Sequence, residues 1–207
     1  MIAIIDYGMG NLYSVSQALT RMGYEWKITS DSEIIRSADG VILPGVGAFG
    51  DAMLELKKRG LIEVIKEIVH REGKPLLGIC LGMQLLFTGS DEHGYHQGLN
   101  LIPGHVVRFE GDYNIPHMGW NELRFDRPHP LFQGVEEGYA YFVHSFHVIP
   151  DNPSDILAVT DYHQTVTAIV GRNQLFGMQF HPEKSGETGR KLLERFAALC
   201  TDRGNRR

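Results

Sequence analysis

Gly78-Ile79-Cys80-Leu81-Gly82-Met83-Gln84 follows on the apolar run Leu76 to Ile79, which Gly73-Lys74-Pro75 opens. A cysteine with glycine two residues before and two after it, between an apolar strand and a helical pattern, matches the elbow that presents a nucleophile, with Cys in place of Ser. The glycines allow a tight strand-to-helix turn. That turn lifts the side chain out of the sheet and sets its sulfur at a helix N-terminus, where the positive end of the peptide dipoles favours thiolate. An arbitrary cysteine after an apolar strand is a small buried hydrophobe; the paired glycines set Cys80 apart. Cys200 has no such context and reads as a structural residue.

Outward from the elbow, Ile2 to Ile5 and Val41-Ile42-Leu43 are further apolar strands, the second closed by Pro44-Gly45. Between them Leu12, Val15, Leu19 and Met22 recur at helical spacing, with Gly23 as the stop. Helical patterns also run through Met53, Leu54 and Leu56, then through Leu61, Ile62, Ile65, Ile68 and Val69. Continuous apolar strands flanked by helices are what a parallel sheet covered on both faces requires. The expectation is an α/β fold, an open, mostly parallel twisted sheet flanked by helices. From Leu99 onward Val106 to Phe109, Ala140 to Val143, Ile156 to Val159, Val166 to Val170 and Leu175 to Phe180 are separated by turn residues, which predicts additional antiparallel strands in the C-terminal half. A last helix is predicted over Thr188 to Cys200, with Leu192, Leu193, Phe196, Leu199 and Cys200 on one face. Residues 1–200 then form one domain, and 201–207 a flexible polar tail.

Composition narrows the class. The chain has 207 residues, 43% hydrophobic and 22% charged, which suits one globular domain and excludes disordered or fibrous classes. A net charge of -5 gives no reason to hold nucleic acid or an anionic membrane. Two cysteines cannot make a disulfide framework, so a reducing compartment fits. The start of the chain has no basic region and meets an acid at Asp6, unlike a signal peptide, and no apolar run approaches the roughly 18 residues of a membrane span. A soluble, cytoplasmic protein without internal repeats is expected.

A cysteine nucleophile needs a base. Among ten histidines, His70, His93, His96 and His129 have contexts that solvated or capping roles satisfy. His181 is distinctive, in Gln179-Phe180-His181-Pro182-Glu183-Lys184-Ser185, where a strand ends before the last helix. Residues i and i+2 of an extended segment point the same way, so Glu183 can orient the His181 ring while Pro182 stiffens the pair. A turn residue with an acid beside a helix start would look the same; with the Cys80 elbow it completes a nucleophile, base and orienter.

Pro44-Gly45-Val46-Gly47-Ala48-Phe49-Gly50 literally satisfies the dinucleotide fingerprint at Gly45, Gly47 and Gly50. Yet it does not follow the first strand, Pro44 enters its tight turn, and the candidate acids Glu67 and Glu72 lie in a helix. Beside an elbow, such a loop suits a different task, turning N–H groups toward an oxyanion together with that of Leu81. Tyr7-Gly8-Met9-Gly10-Asn11 lacks the third glycine, since Tyr13 takes its place. His144, His147 and His163 come without thiolate, HExxH or carboxylate company, so no metal is predicted; His144 and His147 belong to a strand and its exit, with backbone partners. No cofactor is implied. Ile115-Pro116-His117-Met118-Gly119-Trp120-Asn121 divides evenly between core and partner contact.

Taken together, the Cys80 elbow, Pro44-Gly45-Val46-Gly47 and His181-Pro182-Glu183 resemble the triad, or class I, glutamine amidotransferases, a flavodoxin-like fold. Asp6 to Leu12, Pro116 to Asn121, Tyr141 to Ser145 and His181 to Ser185 resemble more closely the branch of that family that serves histidine biosynthesis. The resemblance runs from residue 1 to about 200. It implies a glutaminase that forms a heterodimer with a cyclase subunit built as a (β/α)8 barrel. Ammonia passes to the cyclase through a channel, and the cyclase makes imidazole glycerol phosphate and an aminoimidazole carboxamide ribonucleotide. It further implies Cys80, His181 and Glu183 as catalytic triad, Val46, Gly47 and Leu81 as oxyanion donors, Gln84, Glu92 and Ser145 around the glutamine, and Met118, Trp120 and Lys184 toward the cyclase. Another hydrolase with the same elbow, such as a gamma-glutamyl hydrolase or a DJ-1-like protein, would have no reason to carry Pro116 to Asn121. A nucleotide- or phosphate-binding module using the Gly45 loop is the non-enzymatic alternative.

Overall fold

The computed structural model describes residues 1–204. The first half alternates β1 (Ile2–Ile5), α1 (Leu12–Arg21), β2 (Trp26–Thr29), α2 (Ser32–Ser37), β3 (Gly40–Gly45), α3 (Phe49–Lys58), α4 (Leu61–His70) and β4 (Leu76–Cys80). A short α5 (Leu81–Leu85) leads to β5 (Phe87–Ser90), β6 (His96–Gln97), β7 (Ile102–Arg108), β8 (His117–Glu122) and β9 (Arg124–Phe125). There follow β10 (Tyr139–His144), β11 (Phe146–Pro150), β12 (Ile156–Asp161), β13 (Thr165–Arg172), β14 (Leu175–Met178) and α6 (Gly186–Gly204).

The main sheet has the order β2-β1-β3-β4-β14-β13-β12-β9. Its first five strands are parallel, and β13, β12 and β9 each run antiparallel to the strand inside them. Order 2-1-3-4 continued by a fifth parallel strand is the flavodoxin-type doubly wound arrangement. Alternation along β1 shows why both faces are covered. Ala3 and Ile5 join the core built with α2, α3 and α4, while Ile2 and Ile4 join the one built with α1 and α6. A second sheet, β11-β7-β5-β6, and the antiparallel pair β8-β10 stand beside the main one.

Parallel pairing has a consequence for the site. The C-terminal ends of β1, β3, β4 and β14 fall along one edge, so the chain segments 6–11, 45–48, 80–81 and 179–183 leave the sheet side by side. Ligands of open α/β sheets bind at that edge.

Several elements depart from the sequence expectation. β2 and α2 escape the apolar-run criterion because β2 is an edge strand with Lys27 exposed, and α2 is six residues fixed by its cap, the Asp31 carboxylate accepting from the N–H of Glu33 and Ile34. The helix after Cys80 lasts only five residues before β5 begins. α6 continues through Gly204, so 201–204 of the expected tail are helical, and 205–207 lie outside the described residues. Cys200 is fully buried, and its sulfur fills the space beside Gly40, where a Cβ would lie 2.1 Å from it. Burial and the nearby Asp39 push its thiol up to about 12. Among the described residues no helix is long and apolar enough to cross a membrane.

Candidate active site

Cys80 ends β4 at φ 56° and ψ −115°, a left-side conformation that non-glycine residues seldom adopt. Neighbouring backbones pack closely around it. A Cβ at Gly82 would lie 1.8 Å from the Leu43 carbonyl oxygen, and one at Gly78 2.5 Å from that of Gly82. At Gly45 a Cβ would meet the Tyr7 hydroxyl at 2.7 Å and the Gly82 nitrogen at 2.9 Å. The backbones of β3, β4 and α5 are therefore in direct contact, and Cys80 is held at the floor of a cavity of about 400 Å³.

His181 reaches the same cavity from the turn after β14. Its Nδ1 lies 2.9 Å from Glu183 Oε1, and the Glu183 side chain is fully buried, with Oε2 lacking a hydrogen-bond partner among the described residues. A buried carboxylate with so few partners is stabilised mainly by positive charge on the imidazole. Burial by itself pulls the His181 ring down, but hydrogen bonds to Cys80 and Glu183, and the charge of both, raise it to about 9. The surroundings thus favour the protonated imidazole of His181. Burial, and then the charge of Cys80, push the Tyr7 phenol up; its hydroxyl donates to the Pro44 carbonyl at 2.7 Å, at the root of the glycine loop.

Val46, Gly47, Leu81, Gln84, Glu92 and Ser145 all line this cavity with Cys80 and His181. Gly47 has φ +99°, which glycine adopts without strain. Glu92 accepts from the Phe49 N–H at 2.8 Å, tying the segment after β5 to the first turn of α3 next to the glycine loop. The Gln84 amide donates to the carbonyl of Phe146 and to Gln179, both at 3.1 Å.

Sequence reasoning passed over Phe146, which lines the cavity, and Gln179, whose amide nitrogen is 3.9 Å from Cys80 Sγ. The period-two rule that paired His181 with Glu183 would also have pointed from His181 back to Gln179. His144 and His147 have the predicted backbone partners, Phe146 and Val148, and burial takes His144 down to about 3. His163 stacks on Tyr113 with ring centroids 4.3 Å apart. His129 caps a short turn by accepting from the Leu131 N–H.

The evenly divided segment resolves by alternation. In β8, His117 is buried, while Met118 and Trp120 are exposed on the face they share with Val143 and Tyr141 of β10. β10 is tied to the His181 turn, since the His181 N–H donates to the Tyr141 carbonyl and the Tyr141 N–H donates to Ser185 Oγ. Lys184 is exposed on that turn.

The chain belongs to the class-I glutamine amidotransferases, since the family model described as glutamine amidotransferase class-I matches residues 3–199. Solved structures agree on the fold: "Crystal structure of glutamine amidotransferase" has a TM-score of 0.77 at 17% identity, over 97% of this chain and 100% of that one. "Structure of PurLQS from Thermotoga maritima" has a TM-score of 0.75 at 20% identity, over 94% and 96%. Sequence relatives are more particular. The imidazole glycerol phosphate synthase subunit HisH of Geobacillus kaustophilus (strain HTA426) is 54% identical, over 99% of this chain and 100% of the relative. The protein of the same name from Syntrophotalea carbinolica (strain DSM 2380 / NBRC 103641 / GraBd1) is 50% identical over 96% and 100%.

Proposed function

We propose that this chain is the glutaminase subunit of an imidazole glycerol phosphate synthase, acting in the cytoplasm and delivering ammonia to a cyclase partner. The observation that carries this reading is the convergence of Cys80, His181 and Glu183 on one cavity that the glycine loop also lines. The Cys80 thiolate attacks the side-chain amide carbon of glutamine. Oxyanion charge is met by N–H groups from Leu81 and the Val46-Gly47 loop. The His181 imidazolium gives its proton to the departing nitrogen, so the C–N bond breaks, ammonia leaves and a glutamyl thioester remains. Neutral His181 then takes a proton from water as the water oxygen attacks, and the C–S bond breaks, releasing glutamate and restoring the ion pair. Glu183 holds the ring throughout.

Glu92 offers a carboxylate suited to the α-ammonium of glutamine, while Gln84 and Ser145 flank the remaining polar groups. A (β/α)8 cyclase docks over Met118, Trp120 and Lys184, forms a heterodimer with this chain and receives the ammonia through a channel. Cys80→Ala in the complex tests this division of labour. Glutamine-dependent synthesis is expected to vanish while synthesis from added ammonia persists; retention of the first, or loss of both, contradicts it.

A further inference from the structure

The Phe146 carbonyl accepts from Gln84 Nε2 at 3.1 Å and from His144 Nδ1 at 2.7 Å. A carbonyl oxygen only accepts, so the end of the Gln84 amide that faces it must be the NH2 group. The same NH2 group lies 3.1 Å from the Gln179 side chain, which must therefore present its oxygen. The NH2 group of Gln179 is then turned the other way, toward Cys80 Sγ at 3.9 Å. Both glutamines are buried, Gln179 completely. Which way the second amide points is thus dictated by a backbone carbonyl two hydrogen bonds away.

We propose that Gln179 is a catalytic hydrogen-bond donor to the Cys80 thiolate, and that Gln84 is the positioning residue that fixes its orientation. A donor aimed at sulfur stabilises the anion far more than the neutral thiol. The contact is long in the free enzyme and shortens as charge gathers on sulfur, as hydrogen bonds at catalytic atoms do. It serves the reaction twice, by raising the population of thiolate before attack and by stabilising the thiolate that water expels from the thioester. With α5 only five residues long, the helix dipole behind Cys80 is weak, and a side-chain donor takes up part of its role. Gln84 engages its NH2 group in this chain and leaves its oxygen for the substrate.

The inference rests on Cys80 being the nucleophile, and its test is separable from that reading. The rate of Cys80 alkylation by iodoacetamide is followed against pH in the full chain, by mass spectrometry of the Cys80 peptide, for wild type, Gln179→Met and Gln84→Met. The titratable neighbours that act on Cys80, His181 and Tyr7, are present in all three. In Gln179→Met the alkylation midpoint is expected to rise by about one pH unit, the loss of one charge-assisted hydrogen bond. Gln84→Met is expected to raise it by less, because Gln179 remains but its amide is free to turn. An unchanged midpoint in folded Gln179→Met overturns the proposal; should that variant not fold, an unchanged midpoint in Gln84→Met does so. If Cys80→Ala retains glutamine-dependent synthesis, the nucleophile reading falls instead.

Discussion

The charge on the His181 imidazole is set by its immediate neighbours. An imidazole in an unfolded chain titrates near 6.5, whereas the hydrogen bonds and charges of Cys80 and Glu183 hold the folded His181 at about 9 against the pull of burial. A folded value above the unfolded one means that the folded state binds the proton more tightly. The resulting stabilisation is fully present below about pH 6.5 and is lost as pH rises through 9. Glu183→Gln removes one of the groups that raise the ring, so its unfolding midpoint in urea should fall less steeply than the wild type's between these pH values. Parallel slopes would show that Glu183 does not charge the ring. That Cys80, His181 and Glu183 come together was legible, because a cysteine between paired glycines and a His-Pro-Glu run are uncommon patterns. Gln179 was not, because a glutamine is common and its donor role depends on a partner 95 positions away.

Elements decide whether those residues meet. β3 and α5 touch through Gly82 and the Leu43 carbonyl with no room for a methyl group, and that contact clamps the turn on which Cys80 stands. Gly82→Ala must push α5 off the sheet, and a loss of about 3 kcal/mol is expected, the upper part of the usual overpacking range. Equilibrium denaturation measures it, and a loss below about 1 kcal/mol would mean the elbow tolerates separation. Gly78 and Gly82 were readable as turn makers, but only the paired strands reveal that Gly82 is a packing glycine. The same limit explains the other differences. Apolar runs located β1, β3 and β4, buried on both faces, whereas the half-buried edge strand β2 and the strand β8, with His117 inside and Met118 and Trp120 outside, have compositions that read equally as loop. β5 was hidden because helical α5 runs into it after a single residue, Leu86.

At the scale of the molecule, the distribution of exposed apolar side chains bears on how the site is used. Met118, Trp120 and Tyr139 are 62%, 55% and 58% exposed on one face of the β8-β10 pair. Met118 lies opposite Val143, which lines the cavity, so the patch begins at the mouth of the site. Ammonia has a reason to leave toward that patch only if a partner covers it, since water around an open mouth would protonate and dilute it. Trp and Tyr on such a face are side chains that typically dominate docking energy, and Met is enriched there. Trp120→Ala is therefore expected to weaken association with the proposed cyclase partner by about 2 kcal/mol, roughly thirtyfold in Kd, with little change in the stability of the free chain. Glutamate release reports on it. The free subunit is expected to be slow if the proposed oxyanion loop turns its peptide on docking, a change that Gly47, at φ +99°, permits at low cost. Added cyclase should then activate the Trp120→Ala variant to the wild-type rate, but at roughly thirtyfold higher concentration. An unchanged half-maximal concentration would place the docking face elsewhere on the molecule, and full activity of the free chain would remove the need for the loop to move.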